Sequence, residues 1–215
     1  MSTLELIWDA QTSYKLWSWT AGTAHHVAHV IRRLPHHPHL CTVRIGERGA
    51  AAPRSNTDVR AGLALVKLAH TAQGADALAR EAAWYARLQG DDEGAAVLAV
   101  PRCLGLFRSK RAGAEVACLV LEYCTGEPGD PMRDPHREIM AAAYAVHAAG
   151  VLHGDLLDGR HFVRRGRQMA LVDFAAAVPH RCTHGARVRG PDGRVQVGVC
   201  KELAALERVY GVHRG

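Results

Sequence analysis

Apolar residues recur along the chain at two spacings, and these predict its elements. Val27, Val30 and Ile31 form a short stripe at helical spacing that Pro35 ends. Residues 41–50, CTVRIGERGA, predict a strand entering a glycine turn, and residues 62–70, GLALVKLAH, a buried strand with one internal lysine. In residues 74–90, Leu78, Ala82, Tyr85 and Leu88 fall on one face of a helix. VPRCLGLF and AEVACLVLEYC predict two more strands, joined by the polar turn RSKRAG. The Gly/Pro/Asp-rich stretch TGEPGDPMRDP then predicts a lobe boundary. Beyond it, Asp134 can cap a helix that Pro135 starts and Gly150 ends, with Ile139, Ala142, Ala143 and Val146 on its apolar face. A loop, the strand HFVRR, a turn and the strand MALVDF follow, and CKELAALERVY closes the chain as a helix with Leu203, Leu206 and Val209 on one side. Strands first and helices after the break predict an α+β protein of two unequal lobes. Residues 1–40 stand apart as an extension without an assigned role, 41–125 form the first lobe and 126–215 the second.

Composition narrows the class. With 48% apolar and 22% charged residues, the 215-residue chain has the make-up of a globular protein. It has no apolar run of the roughly 18–20 residues that would cross a bilayer, so no membrane partner is expected. MSTLELIWDAQTSYK lacks the basic-then-apolar order of a secretory signal. Six cysteines are spread without a CxxC pair, which fits reduced thiols in the cytoplasm, with the nucleus as the alternative. The net charge of +6 is dispersed and suits a nucleoside triphosphate as well as a nucleic acid, so nucleic acid is not expected as the main partner.

Four charged positions carry candidate chemistry. Lys67 lies inside an apolar strand, where a snorkelling lysine is the ordinary explanation. Glu81 shares the helical face of Leu78 and Tyr85, and a carboxylate there is costly unless paired; Lys67 is the evident partner. Asp155 follows a glycine in the loop GVLHGDLL, and Asp173 ends the apolar strand MALVDF 18 residues later. Either is common as a turn residue. Together, a paired lysine, one Asp that orients a hydroxyl and another that holds Mg²⁺ are the parts phosphoryl transfer requires.

The ordered set ALVK, Glu81, LVLEYC, HGDL and VDF resembles the protein-kinase-like superfamily over roughly residues 41 to 180. LEYC and the Arg-His pair after HGD are similar to short kinase-like proteins of mushroom-forming fungi. The resemblance implies a bilobal protein-kinase-like fold, with a small β-rich N-lobe and a reduced helical C-lobe. It implies an ATP- and Mg²⁺-dependent phosphotransferase acting on a protein or small-molecule hydroxyl. Lys67 would bind the α/β-phosphates and Glu81 would hold it; Gly46 and Gly49 would cradle phosphate. Glu122 and Cys124 would offer backbone groups to adenine. Asp155 would be the catalytic base and Asp173 the principal metal ligand, with His161 as a candidate second ligand.

The chain departs from the pattern at several places. Gly154 replaces the usual arginine, Arg160 stands where a metal-binding asparagine is expected, and Ala175 replaces the glycine after Asp-Phe. Only 42 residues follow Asp173, too few for the usual peptide-substrate platform. A pseudokinase that binds nucleotide or partners without catalysis is therefore the alternative. A third reading is zinc binding, prompted by fourteen histidines and the stretches HHPHLC and HRCTHG, with His36, His37, His39 and Cys41 as ligands.

Overall fold

The computed structural model describes residues 1–18, 24–35, 37–47, 62–90, 99–111, 114–124, 134–189 and 194–211. The chain divides into two compact units.

The first unit, Met1–Ala83 with Arg102–Tyr123, contains a closed seven-stranded barrel. Its strands are β1 (Ser2–Ile7), β2 (Ser13–Ser18), β3 (His25–Leu34), β4 (His37–Glu47), β5 (Leu63–Ala69), β6 (Cys103–Arg111) and β7 (Ala114–Glu122). Around the barrel the order is β1-β2-β6-β7-β5-β4-β3. Neighbours run antiparallel except β1 and β3, whose parallel pairing from Thr3–His25 to Ile7–His29 closes the ring. Alternation explains the core: in STLELI, Ser2, Leu4 and Leu6 are buried while the residues between them are partly exposed. Leu4, Leu6, Leu16, Val43, Val66 and Phe107 meet in one apolar cluster.

Helix α1 (Ala72–Gln89) begins in the first unit and ends in the second, which comprises Trp84–Pro101 and Cys124–Gly215. The second unit holds α2 (Pro135–Ala148), α3 (Lys201–Tyr210) and three small two-stranded sheets. These pair β8 (Val151–Leu152) with β11 (Val178–Pro179), β9 (Phe162–Arg165) with β10 (Gln168–Leu171), and β12 (Arg187–Arg189) with β13 (Val195–Val197). Asp134 caps α2 by accepting the His136 N–H at 2.9 Å, with Pro135 at the first helical position. Ile139, Ala142, Ala143 and Val146 are buried, as are Leu203 and Leu206 of α3, whereas Val209 is exposed.

This architecture overturns the expected α+β, bilobal kinase-like fold with a reduced helical C-lobe. Among the described residues strand outweighs helix, seven strands close into a barrel, and there are three α-helices. The decisive segment is residues 1–40, set aside as an extension, which supplies β1, β2, β3 and the start of β4. The stripe Val27, Val30 and Ile31 belongs to a strand. Val27 and Val30 lie on opposite faces of a regularly paired stretch, opposite Gly46 and Val43, and a β-bulge follows only between Val30 and Arg32, so the helix-like spacing does not mark a common face. The expected turn RSKRAG begins as strand, because β6 continues to Arg111. Most of TGEPGDPMRDP lies outside the described residues.

Candidate functional site

In the first unit, β5 presents Lys67 toward α1. Its Nζ donates to both carboxylate oxygens of Glu81, at 2.7 and 3.0 Å. The two side chains are 13% and 3% exposed, so neither charge is solvated as a surface pair would be. The helical spacing that places Glu81 among Leu78 and Tyr85 is what aims it inward, and all three are buried. Gly46 sits within β4 opposite Val27, not in a turn, because β4 runs on to Glu47. Gly49 lies outside the described residues. Glu122 ends β7 with its backbone N–H donated to the Arg102 carbonyl at 2.8 Å, while its carboxylate accepts from Arg102 N–H at 3.0 Å. Cys124 is partly buried just beyond that strand end.

In the second unit, the loop after β8 gathers His153, Gly154, Asp155, Asp158, Arg160 and His161. Arg160 dominates its electrostatics. Its Nη2 donates to Asp155 Oδ2 at 2.8 Å, and its Nε lies 2.8 Å from Asp158 Oδ2. The hydrogen bond from Arg160 holds the Asp155 carboxyl below its ordinary range, and the carboxylates raise Arg160 in turn. His161 Nε2 is 3.1 Å from Asp155 Oδ2 and 2.9 Å from Arg160 Nε. One ring nitrogen cannot donate and accept at once. Arg160 Nε donates to His161 Nε2, and in the tautomer that accepts it the ring hydrogen sits on Nδ1, leaving Asp155 Oδ2 a close neighbour of Nε2. Asp155, Asp158 and His161 have donor atoms within 4.8 Å of one another, two carboxylates and an imidazole with a guanidinium already on both carboxylates.

Asp173 follows β10 in the left-handed conformation, φ 69° and ψ 68°, the one such non-glycine among the described residues. Its backbone N–H donates to Tyr85 Oη at 3.3 Å, and the next residue, Phe174, packs edge-on against Tyr85 at 5.2 Å. The aromatic anchor holds the turn, and the carboxylate remains 40% exposed. His161, expected as a second metal ligand, has Nδ1 4.0 Å from Asp173 Oδ2 and its other nitrogen beside Asp155. It therefore lies between the two acids. His153 is buried with Nε2 on the Val172 carbonyl at 3.0 Å; burial lowers its pKa.

Gly154 has a steric cause. Its φ is +86°, and a Cβ there would meet the Ala176 carbonyl oxygen at 2.8 Å, so any side chain would be strained at this position.

Glu202, on the first turn of α3, was not foreseen. Its Oε1 accepts the Gly154 N–H at 2.7 Å, and its Oε2 accepts the His153 N–H at 3.1 Å and contacts His147 Nε2 at 2.7 Å. One carboxylate thus fixes the backbone just before Asp155. Nothing local marks it, since 48 residues separate it from Gly154. A pocket of about 340 Å³ has Asp155, Leu156, Leu157 and Lys201 in its walls.

The zinc ligands expected near the N-terminus do not assemble. His37 and His39 are exposed on β4, Cys41 is buried in the barrel core with its thiol pushed up to about 11 by burial, and His36 lies outside the described residues.

No family model matches the chain, and no curated protein matches it.

Proposed function

We propose that the protein is an ATP- and Mg²⁺-dependent phosphotransferase that moves the γ-phosphate to a hydroxyl of a protein or small molecule. The observation that carries this reading is the buried Lys67–Glu81 pair. A charged pair in an apolar strand–helix contact gains little stability over well-packed hydrophobic residues, so a role for the ammonium explains its presence. Lys67 neutralises α/β-phosphates and Glu81 keeps it extended. Asp173, whose carboxylate is 40% exposed at the left-handed turn after β10, holds Mg²⁺. Asp155 orients the acceptor hydroxyl, and the pocket in whose wall it lies receives the acceptor group.

Arg160 supports a second reading, nucleotide binding without transfer. Its guanidinium already occupies Asp155 and Asp158, where a second metal would need carboxylate oxygens.

Thermal unfolding with ATP, with and without Mg²⁺, tests both readings. At about 10 to 100 times Kd, binding stabilises by roughly 1.4–2.7 kcal/mol. A shift that needs Mg²⁺ and disappears in Lys67→Met and Asp173→Asn is the expected result. No shift at millimolar ATP would sink both. ADP release abolished by Asp155→Ala selects transfer; binding without release selects the second reading.

A further inference from the structure

We propose that His147, His180, Cys182 and Cys200 form a structural zinc site in the second unit, separate from the acids of the Asp155 loop. His147 lies in the last turn of α2, His180 and Cys182 directly follow β11, and Cys200 is the cap of α3. One donor atom from each comes within 4.8 Å of all the others. Tetrahedral zinc, with Zn–S of about 2.3 Å and Zn–N of about 2.0–2.1 Å, sets sulfur and nitrogen about 3.6 Å apart. Cys200 Sγ and His147 Nδ1 are 3.7 Å apart, so this pair needs almost no adjustment.

Three further observations point to a cation. The Nε2 of His180 is buried without a hydrogen-bond partner, a costly state that metal ligation would relieve. His147 has Nδ1 toward Cys200 and Nε2 at 2.7 Å from Glu202, the carboxylate–histidine arrangement that fixes the tautomer and orientation of a ligating imidazole. All six cysteines are free thiols, so Cys182 and Cys200 are available. Binding releases their two protons, and two thiolates with two neutral imidazoles balance Zn²⁺, leaving no net charge in a site whose His147 and Cys200 are buried. His184, the other histidine of HRCTHG, is committed elsewhere, with Nε2 on Glu207 at 3.0 Å and Nδ1 accepting the Cys200 N–H at 3.2 Å.

The site would tie the end of α2 and the segment after β11 to the start of α3. Glu202 links it to the Gly154 backbone, so the same metal steadies the loop that carries Asp155.

The test uses the full chain, purified without a polyhistidine tag from zinc-supplemented cells. Elemental analysis is expected to find one zinc per chain. Exchange with Co²⁺ is expected to give tetrahedral d–d bands and thiolate charge-transfer absorption. In the Cys182→Ser/Cys200→Ser double variant zinc should fall roughly tenfold or more, while Cys103→Ser keeps it. His180→Ala removes a half-buried ligand and should weaken Co²⁺ binding with the fold intact. If the double variant does not fold, the wild-type cobalt spectrum and His180→Ala decide. Wild-type protein without zinc or a cobalt spectrum, a Cys182–Cys200 disulfide in non-reducing mass mapping, or undiminished zinc in the double variant would each overturn the proposal. None of these readouts involves nucleotide, so the result stands apart from the proposed phosphotransfer.

Discussion

Removing Glu81 is the sharpest perturbation of the barrel unit. At 2.7 Å and an effective dielectric near 20, the attraction between Lys67 and Glu81 is roughly 6 kcal/mol, set against desolvation of both groups. Because Glu81 is buried and the Lys67 side chain is only 13% exposed, Glu81→Ala takes the closest carboxylate from the ammonium while giving it little water. The expected cost is about 3–5 kcal/mol. For a chain of this size that is a fall in Tm of roughly 6–20 °C, at about 2–4 °C per kcal/mol. The double variant Lys67→Met/Glu81→Leu removes both charges and should recover most of the loss. Urea unfolding followed by tryptophan fluorescence measures it, since Trp8, Trp17 and Trp19 all lie in the first twenty residues. A loss below about 1 kcal/mol for Glu81→Ala, the worth of an exposed pair, would refute the reasoning. The double variant also separates stability from function: it should be folded yet give no ATP-dependent shift.

Further outcomes follow from other residues. Leu6→Ala, in the core cluster, should cost about 2–5 kcal/mol in urea unfolding; a neutral result would mean that residues 1–18 do not build the barrel. Asp173→Gly should relieve its left-handed backbone by about 1 kcal/mol while abolishing any Mg²⁺-dependent ATP shift. Arg160→Asn should raise Mg²⁺-dependent ADP release if the guanidinium restrains Asp155; an unchanged rate would clear Arg160 of that role. Burial keeps His153 neutral, so its contribution to stability is complete above its ordinary pKa near 6.5 and declines as pH falls below that value. The wild type should therefore lose up to about 1.4 kcal/mol per pH unit more than His153→Gln in that range, and parallel pH profiles would refute this.

Legibility in the sequence followed the range of the interactions. The helix from Asp134 to Gly150 shows in its cap, proline and apolar face, all within one segment. Lys67 and Glu81 were readable because a charge inside an apolar pattern demands a partner, and the adjoining strand and helix limit the choice. The barrel was hidden for the opposite reason. Its closure depends on β1 pairing with β3 and β2 with β6, and valines on opposite faces of β3 happen to fall at helical spacing. Glu202 and the His147–Cys200 contact were hidden because each joins positions about fifty residues apart, while HHPHLC drew attention to histidines that β4 leaves exposed.

The two units are interleaved along the chain, and this bears on synthesis. Residues 84–101 interrupt the barrel sequence, yet Tyr85, Leu88, Ala99 and Val100 are buried within the second unit. No single cut releases either unit whole. A nascent chain that has just emerged past residue 124 holds every barrel strand but displays an apolar face awaiting partners not yet translated, Phe174 among them. At about 5–20 residues per second, the interval between Val100 and Phe174 lasts roughly 4–15 s. Stalled chains with residues 1–130 outside the ribosome should therefore engage chaperones that released full-length chains do not.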